Sequence, residues 1–216
     1  MASRQTFPWQ ECCSQLNLLA ARYALVLAPD QRHYQVIDPA GELIAAFHPP
    51  VILPTYGRDP TSYLAAADRP GLHTVLLVQA GATAVGIWQD DQLLDHKVIK
   101  KYVVRSKGRA QPLHLKTRGK SRYGSRLRLL EARQQLVETN EKLIEYWRKH
   151  GQPRMTLYSV PVRTWPELFR CEPPPPFDRR APELIKIPLH VHQPNLAELE
   201  RVRARLGRAA VEWRDT

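Results

Sequence analysis

Apolar residues recur along this chain at two different spacings. Trp9, Cys13, Leu16 and Ala20 fall at the three- and four-residue intervals of a helix face, which predicts a helix within residues 7–21. Three short runs of strand composition follow at 23–27, 33–37 and 42–47, with Pro29-Asp30 and Pro39-Ala40-Gly41 supplying the turns between them. Pro49, Pro50, Pro54, Gly57, Pro60, Pro70 and Gly71 then punctuate a connecting stretch with a short helical piece at 63–67. The pattern changes at His73. Residues 74–78 form an unbroken apolar run, as expected of a strand covered on both faces, and 83–88 form a second. After Asp90-Asp91 a long strand is expected over 92–105. Its apolar residues change phase at Val98–Ile99 and Tyr102–Val103, which predicts a bulge or strong twist there.

Beyond residue 120 the helical spacing returns. Ser121 or Ser125 can cap a long helix reaching His150, with Leu129, Ala132, Leu136, Leu143 and Trp147 on one face and Arg148, Lys149 and His150 in the last turn. A strand at 155–160, a short helix at 164–170 and a stiff proline run at 173–176 follow. A last strand is expected at 183–191, weakened by Pro188 and so placed at an edge. Asn195 and Glu198 resemble a capping box for a final helix with Leu196, Leu199, Val202 and Leu206 on its apolar side. The order predicts an α+β, partly α/β, fold: a mixed β-sheet with flanking helices at 73–216, a small N-terminal α+β unit at 1–60, and a linker at 61–72.

Composition narrows the setting. With 43% hydrophobic and 25% charged residues, the 216-residue chain has the balance of a folded protein and not of a disordered tail. Cys12, Cys13 and Cys171 lack the spacing of a disulfide framework or a zinc site, so free thiols in a reducing compartment are expected. No signal-like apolar segment opens the chain and no stretch is long enough to span a bilayer, which predicts a cytoplasmic protein. Arginine outnumbers lysine by 23 to 9, a bias that points to a GC-rich bacterial genome.

Charge changes the picture most. The formal net charge is +11, yet between His96 and Arg128 there are twelve basic residues and no acid. They are Lys97, Lys100, Lys101, Arg105, Lys107, Arg109, Lys116, Arg118, Lys120, Arg122, Arg126 and Arg128; the rest of the chain sums to −1. A solvated surface normally intersperses acids among its bases. Their absence points instead to a polyphosphate partner, because neutralising phosphates releases condensed counterions. Within this stretch lies Gly108-Arg109-Ala110-Gln111. Gly108 permits a positive φ and close approach of another chain. Gln111 offers an amide that donates and accepts hydrogen bonds but cannot act as a base, so any catalytic role is positional. Alone, the tetrapeptide is a weak signal.

The wider context is more specific. Tyr102, Val104 and Arg105 lead into Gly108, Ala110 and Gln111, and Ser121, Gly124, Leu127 and Arg128 follow. This succession resembles the Vms-type release factors, relatives of the middle domain of eukaryotic and archaeal peptide-chain release factors, and the composition fits a bacterial, actinobacterial-type member. The resemblance covers about two-thirds of the chain. It implies a ribonuclease-H-like core and a monomeric peptidyl-tRNA hydrolase acting on stalled large ribosomal subunits without metal or cofactor. Gln111 would position water at the ester, with Gly108 and Ala110 shaping the loop and the twelve cations contacting ribosomal RNA and tRNA. No DNA or membrane partner is implied. Two departures are visible: Arg109-Ala110 stands where release factors have Gly-Gly, and the zinc finger, ankyrin repeats and ATPase-binding segment of eukaryotic Vms-type proteins are missing, so the ATPase partnership is not carried over.

Other readings share the RNA partner. One is an endonuclease cutting the tRNA acceptor end; another is a non-catalytic module binding ribosomal RNA or tRNA. A two-metal nuclease is disfavoured because 74–79 lacks carboxylates, while Asp90, Asp91 and Asp95 read as hairpin and strand-edge residues. His190 and His192 flank Val191 without a third ligand nearby in sequence, as surface histidines do. Phe7 and Trp9 read as core residues.

Overall fold

The computed structural model describes residues 3–30, 32–53, 59–66, 69–101 and 121–214, with backbone only at 65–66 and 121–125. Among these the fold is mixed α and β, with two five-stranded sheets. The chain divides into two compact units, residues 1–73 with 200–216, and residues 74–199.

The first unit opens with β1 (Arg4–Pro8), a single 3-10 turn (Trp9–Glu11) and α1 (Cys12–Ala20). β2 (Ala24–Leu27), β3 (Tyr34–Ile37) and β4 (Leu43–His48) follow at the expected places, then α2 (Pro60–Ala66). The helix expected within 7–21 therefore starts later, and Phe7 lies in a strand. Its extended conformation is set from a distance: β1 pairs antiparallel with β10 (Arg208–Trp213), Phe7 opposite Ala209 and Gln5 opposite Val211. The sheet order is β1-β10-β4-β3-β2, so a segment after residue 207 lies inside the sheet. The compact units thus differ from the contiguous division expected from sequence, which put 73–216 in one core. Buried Cys12, Leu16, Tyr34, Val36, Phe47, Tyr63 and Val211 form the core, and Phe7 and Trp9 pack against it. The Cys12 thiol lies 3.3 Å from the Tyr63 hydroxyl. Burial pushes this thiol up to about 12, so it is protonated and unreactive at neutral pH.

The second unit carries β5 (Leu72–Gln79), β6 (Ala82–Gln89), β7 (Gln92–Lys100), α3 (Ser121–His150), β8 (Met155–Ser159), α4 (Thr164–Phe169) and β9 (Leu184–Lys186). α5 (Leu196–Leu206) precedes β10. The sheet runs β7-β6-β5-β8-β9. β7 is antiparallel to β6, and β9 is parallel to β8, at the edge as expected. β5 and β6 are buried along nearly their whole lengths, in keeping with their continuous apolar runs. β9 stops at Lys186, short of the predicted 191, because Pro188 has no N–H to extend the ladder. His190 and His192 therefore lie outside the strand. No bulge falls at Val98–Ile99, while Tyr102–Val103 and the rest of the strand expected to 105 lie outside the described residues. Val98 and Ile99 pair regularly with Ala84 and Thr83, while the register shifts where Ile87 faces Asp95 and Trp88 faces Leu93. Ile99 is buried and Val98 half-buried on opposite faces, so adjacent apolar residues here reflect two covered faces and not a slip. The turn before the shift places Asp90 at φ 51°.

Gly86 is fixed by its neighbour two residues on, on the same face of β6. A Cβ at Gly86 would sit 2.5 Å from the ring of buried Trp88. Gly86→Ala is expected to destabilise the fold by about 1–3 kcal/mol through overpacking, seen as a lower urea midpoint; an unchanged midpoint would show that the indole can move aside. At α5, Asn195 Oδ1 accepts from the Glu198 N–H at 2.8 Å, the predicted cap. The Glu198 carboxylate also accepts from the His192 N–H. Among the described residues no helix is long and apolar enough to cross a membrane.

Candidate functional site

β7 and α3 carry the two ends of the basic segment, residues 96–128, and lie in the same unit. Gly108, Ala110 and Gln111 lie outside the described residues, as do Arg105, Lys107, Arg109, Lys116, Arg118 and Lys120, and the side chain of Arg122 is not described. The described residues on either side of these positions are β7 with Lys101, and α3.

Alternation along β7 divides the predicted cations. Successive side chains of a strand point to opposite faces. Asp95, Lys97, Ile99 and Lys101 share one side, and the contacts of Asp95 and Lys101 identify it as the side facing α3. The Asp95 carboxylate accepts from Lys149 Nζ at 2.7 Å, and His150 Nε2 is 3.6 Å away. Lys101 Nζ donates to Glu138 Oε1 at 2.7 Å. Lys100, exposed, belongs to the opposite side. Lys97, Lys100 and Lys101 thus do not form one cationic face. The pairs hold their carboxylates ionised: hydrogen bonding from Lys149 lowers Asp95, and that from Lys101 lowers Glu138, while both lysines are raised by their partners.

Beneath the Lys101–Glu138 pair lies a polar network that the apolar spacing did not reveal. Gln135 is buried on α3, and its Oε1 accepts from the Gly81 N–H at 3.0 Å. Its amide donates to Gln79 O at 2.9 Å and to Thr83 Oγ1 at 2.8 Å. Thr139, one turn further on, is 3.2 Å from Thr83 Oγ1 and donates to Gln135 O at 2.7 Å. Gly81, at φ 82°, accepts from the Lys101 N–H at 2.8 Å. One glutamine therefore satisfies the backbone of the β5–β6 turn that in turn receives the end of β7. The signal was present in sequence as polar residues at 135 and 139, one helical turn apart and beside apolar Leu136 and Leu143. Gln135→Leu is expected to cost about 1–3 kcal/mol, because the part-buried Gly81 N–H and Gln79 carbonyl and the buried Thr83 hydroxyl lose their partner. Equilibrium urea unfolding measures it, and a gain in stability would mean that these groups find other partners.

Further along α3, Asn140 donates to the carbonyls of Leu168 at 2.9 Å and Pro173 at 2.8 Å, fixing the chain after α4. Leu136 and Leu143 are buried as predicted, but Leu129 is 71% exposed and Leu130 66% exposed. The first described turns of α3 are largely exposed and its buried stripe begins at Gln135, where the sheet supports it. Arg126 is exposed there and Arg128 half-buried. His190 and His192 rings are 5.0 Å apart, and among the described residues no three metal-binding side chains come together. Burial raises the Cys171 thiol.

The family described as bVLRF1, the Bacteroidetes VLRF1 release factor, matches residues 73–213. Among solved structures, one titled "Vms1 mitochondrial localization core" aligns with TM-score 0.51 and 10% sequence identity, over 93% of this chain and 80% of that one. At that identity the likeness concerns the fold. No match is found among curated proteins.

Proposed function

Because the chain belongs to the bVLRF1 release-factor family, and interaction with the ribosome goes with that family, we propose that it is a peptidyl-tRNA hydrolase that frees nascent chains on stalled large ribosomal subunits. The observation that supports this reading best is a coincidence of chemistry and position. Gly108-Arg109-Ala110-Gln111 sits in an acid-free basic segment inside the family match. The end of β7 within it is tied to α3 by Lys101–Glu138 and to the β5–β6 turn, which Gln135 holds, by the Lys101 N–H on Gly81 O.

Such a segment suits insertion among phosphates. Arg105, Lys107, Arg109, Lys116, Arg118, Lys120, Arg122, Arg126 and Arg128 would contact ribosomal RNA and tRNA, with exposed Lys97 and Lys100 at the periphery. At the reacting centre, water attacks the carbonyl carbon of the ester joining peptide and terminal ribose. The bond from that carbon to the ribose oxygen breaks, the peptide leaves as a carboxylic acid, and the ribose oxygen takes a proton. Gln111 cannot accept the proton of the attacking water. Its contribution is to orient the water and to stabilise the developing oxyanion, while RNA hydroxyls carry the proton. Gly108 serves as pivot, and Ala110 keeps the approach to the ester narrow. The reaction needs no metal, the protein acts as a monomer in the cytoplasm, and its partners are the large subunit and peptidyl-tRNA. The test is peptide release from peptidyl-tRNA on isolated large subunits by the wild-type chain and Gln111→Ala.

A further inference from the structure

The hydrogen bonding of the first sheet leaves one edge of β1 open. The Trp213 N–H donates to Ser3 O at 3.0 Å, and antiparallel ladders alternate, so Gln5 and Phe7 also turn their backbone groups toward β10. Arg4 and Thr6 turn theirs the other way, where no strand lies among the described residues. Pro8, which has no N–H, closes the run. The side chains of Arg4 and Thr6 lie on the sheet face away from Phe7. Arg4 pairs there with Glu212 at 3.1 Å, and Thr6 Oγ1 accepts from Arg208 at 3.0 Å. On the other face a pocket of about 180 Å³ adjoins the edge, lined by Gln5, Phe7, Leu18, Leu19, Arg22 and Trp213 among others. Leu18 is 59% exposed. Arg22 is exposed too, and no carboxylate lines the pocket. An open strand edge, an apolar floor and one cation thus adjoin within the first unit.

We propose that β1 and this pocket form a docking site for an extended acidic peptide of a partner protein, which joins the sheet as a further strand beside β1. Its backbone exchanges hydrogen bonds with Arg4 and Thr6, and these supply affinity. Residues two apart on a strand share a face. An apolar residue and a carboxylate at that spacing therefore meet Leu18 and Arg22 from the same side of the peptide, and these contacts supply selectivity. A second copy of this chain is the poorer occupant, because β1 carries no acid to meet Arg22.

The probe is a capped, fluorescein-labelled threonine peptide bearing one leucine and, two positions on, one glutamate. It is titrated by anisotropy against the full chain, with amide exchange at Arg4 and Thr6 followed by NMR. Saturable binding is expected, with exchange at both amides slowed. Arg22→Glu should weaken binding about 10-fold, and a peptide with lysine in place of the glutamate should recover it on that variant. Leu18→Asp, at an exposed position, should weaken the original peptide with the thermal midpoint unchanged. Absence of saturable binding overturns the proposal, as do Arg4 and Thr6 amides already slow in the peptide-free protein. Binding that Arg22→Glu leaves intact places the acidic peptide on the basic segment instead and also overturns it. So does a concentration-dependent dimer in sedimentation that the peptide breaks, which makes a second copy the occupant.

Discussion

Gln111→Ala is expected to slow peptide release on large subunits by about 100- to 1,000-fold, the cost of removing one preorganised donor at a developing oxyanion. The side-chain amide is neutral, so its loss leaves the cationic charge of the segment intact. Affinity for the subunit should therefore hold while kcat falls, the pattern of an interaction made in the transition state. Gln111→Glu should be no better, since a carboxylate near the ester repels the oxyanion that the amide would stabilise. The chemistry is read from the released tRNA: an intact CCA end identifies ester hydrolysis, and a truncated end identifies the nuclease reading. Unchanged release by the alanine variant leaves an RNA-binding module without this catalytic residue.

Subunit affinity should fall by about 1,000-fold between 50 and 200 mM salt, as for a protein that neutralises six or more phosphates. The Lys101–Glu138 and Lys149–Asp95 pairs are satisfied within the protein and should add nothing to this slope. Arg126, exposed on α3, should contribute about one phosphate, so Arg126→Ala lowers the slope by slightly less than one. Fluorescence titration of labelled protein with large subunits gives both numbers. A change of less than about tenfold over this salt range would contradict a phosphate-dominated interface.

Local chemistry made much of this fold legible. The buried runs of β5 and β6, the turns around β2, β3 and β4, and the Asn195 cap of α5 follow from residues close together in sequence. What escaped was set at long range. Arg4–Pro8 is a strand because Arg208–Trp213 lies beside it, and Arg208–Trp213 directly follows a helix with only Gly207 to mark the change. Leu129 fits an apolar stripe by spacing, yet spacing cannot say where the sheet beneath a helix ends. For the candidate site, Gly108-Arg109-Ala110-Gln111 is an expectation from sequence that lies outside the described residues. The division of Lys97, Lys100 and Lys101 between two strand faces, and the capture of Lys101 by Glu138, required the tertiary structure. Buried Gln135 and Thr139 were overlooked because polar residues in a helix are normally read as its wet side.

The central place of β10 bears on how the chain comes off the ribosome that makes it. β1 has β10 as its neighbour, and β10 also joins β1 to β4. Some two hundred residues separate the two strands, so at translation speeds of 5–20 residues per second the first strand waits roughly 10–40 s for its mate. Through that interval Arg4–Pro8 has no ladder to enter, whereas β2, β3 and β4 have already been synthesised together. Completion of the first sheet thus waits on the synthesis of residues 208–213. A polypeptide cut short before residue 208 emerges with that sheet unclosed, marked as unfinished by its own topology.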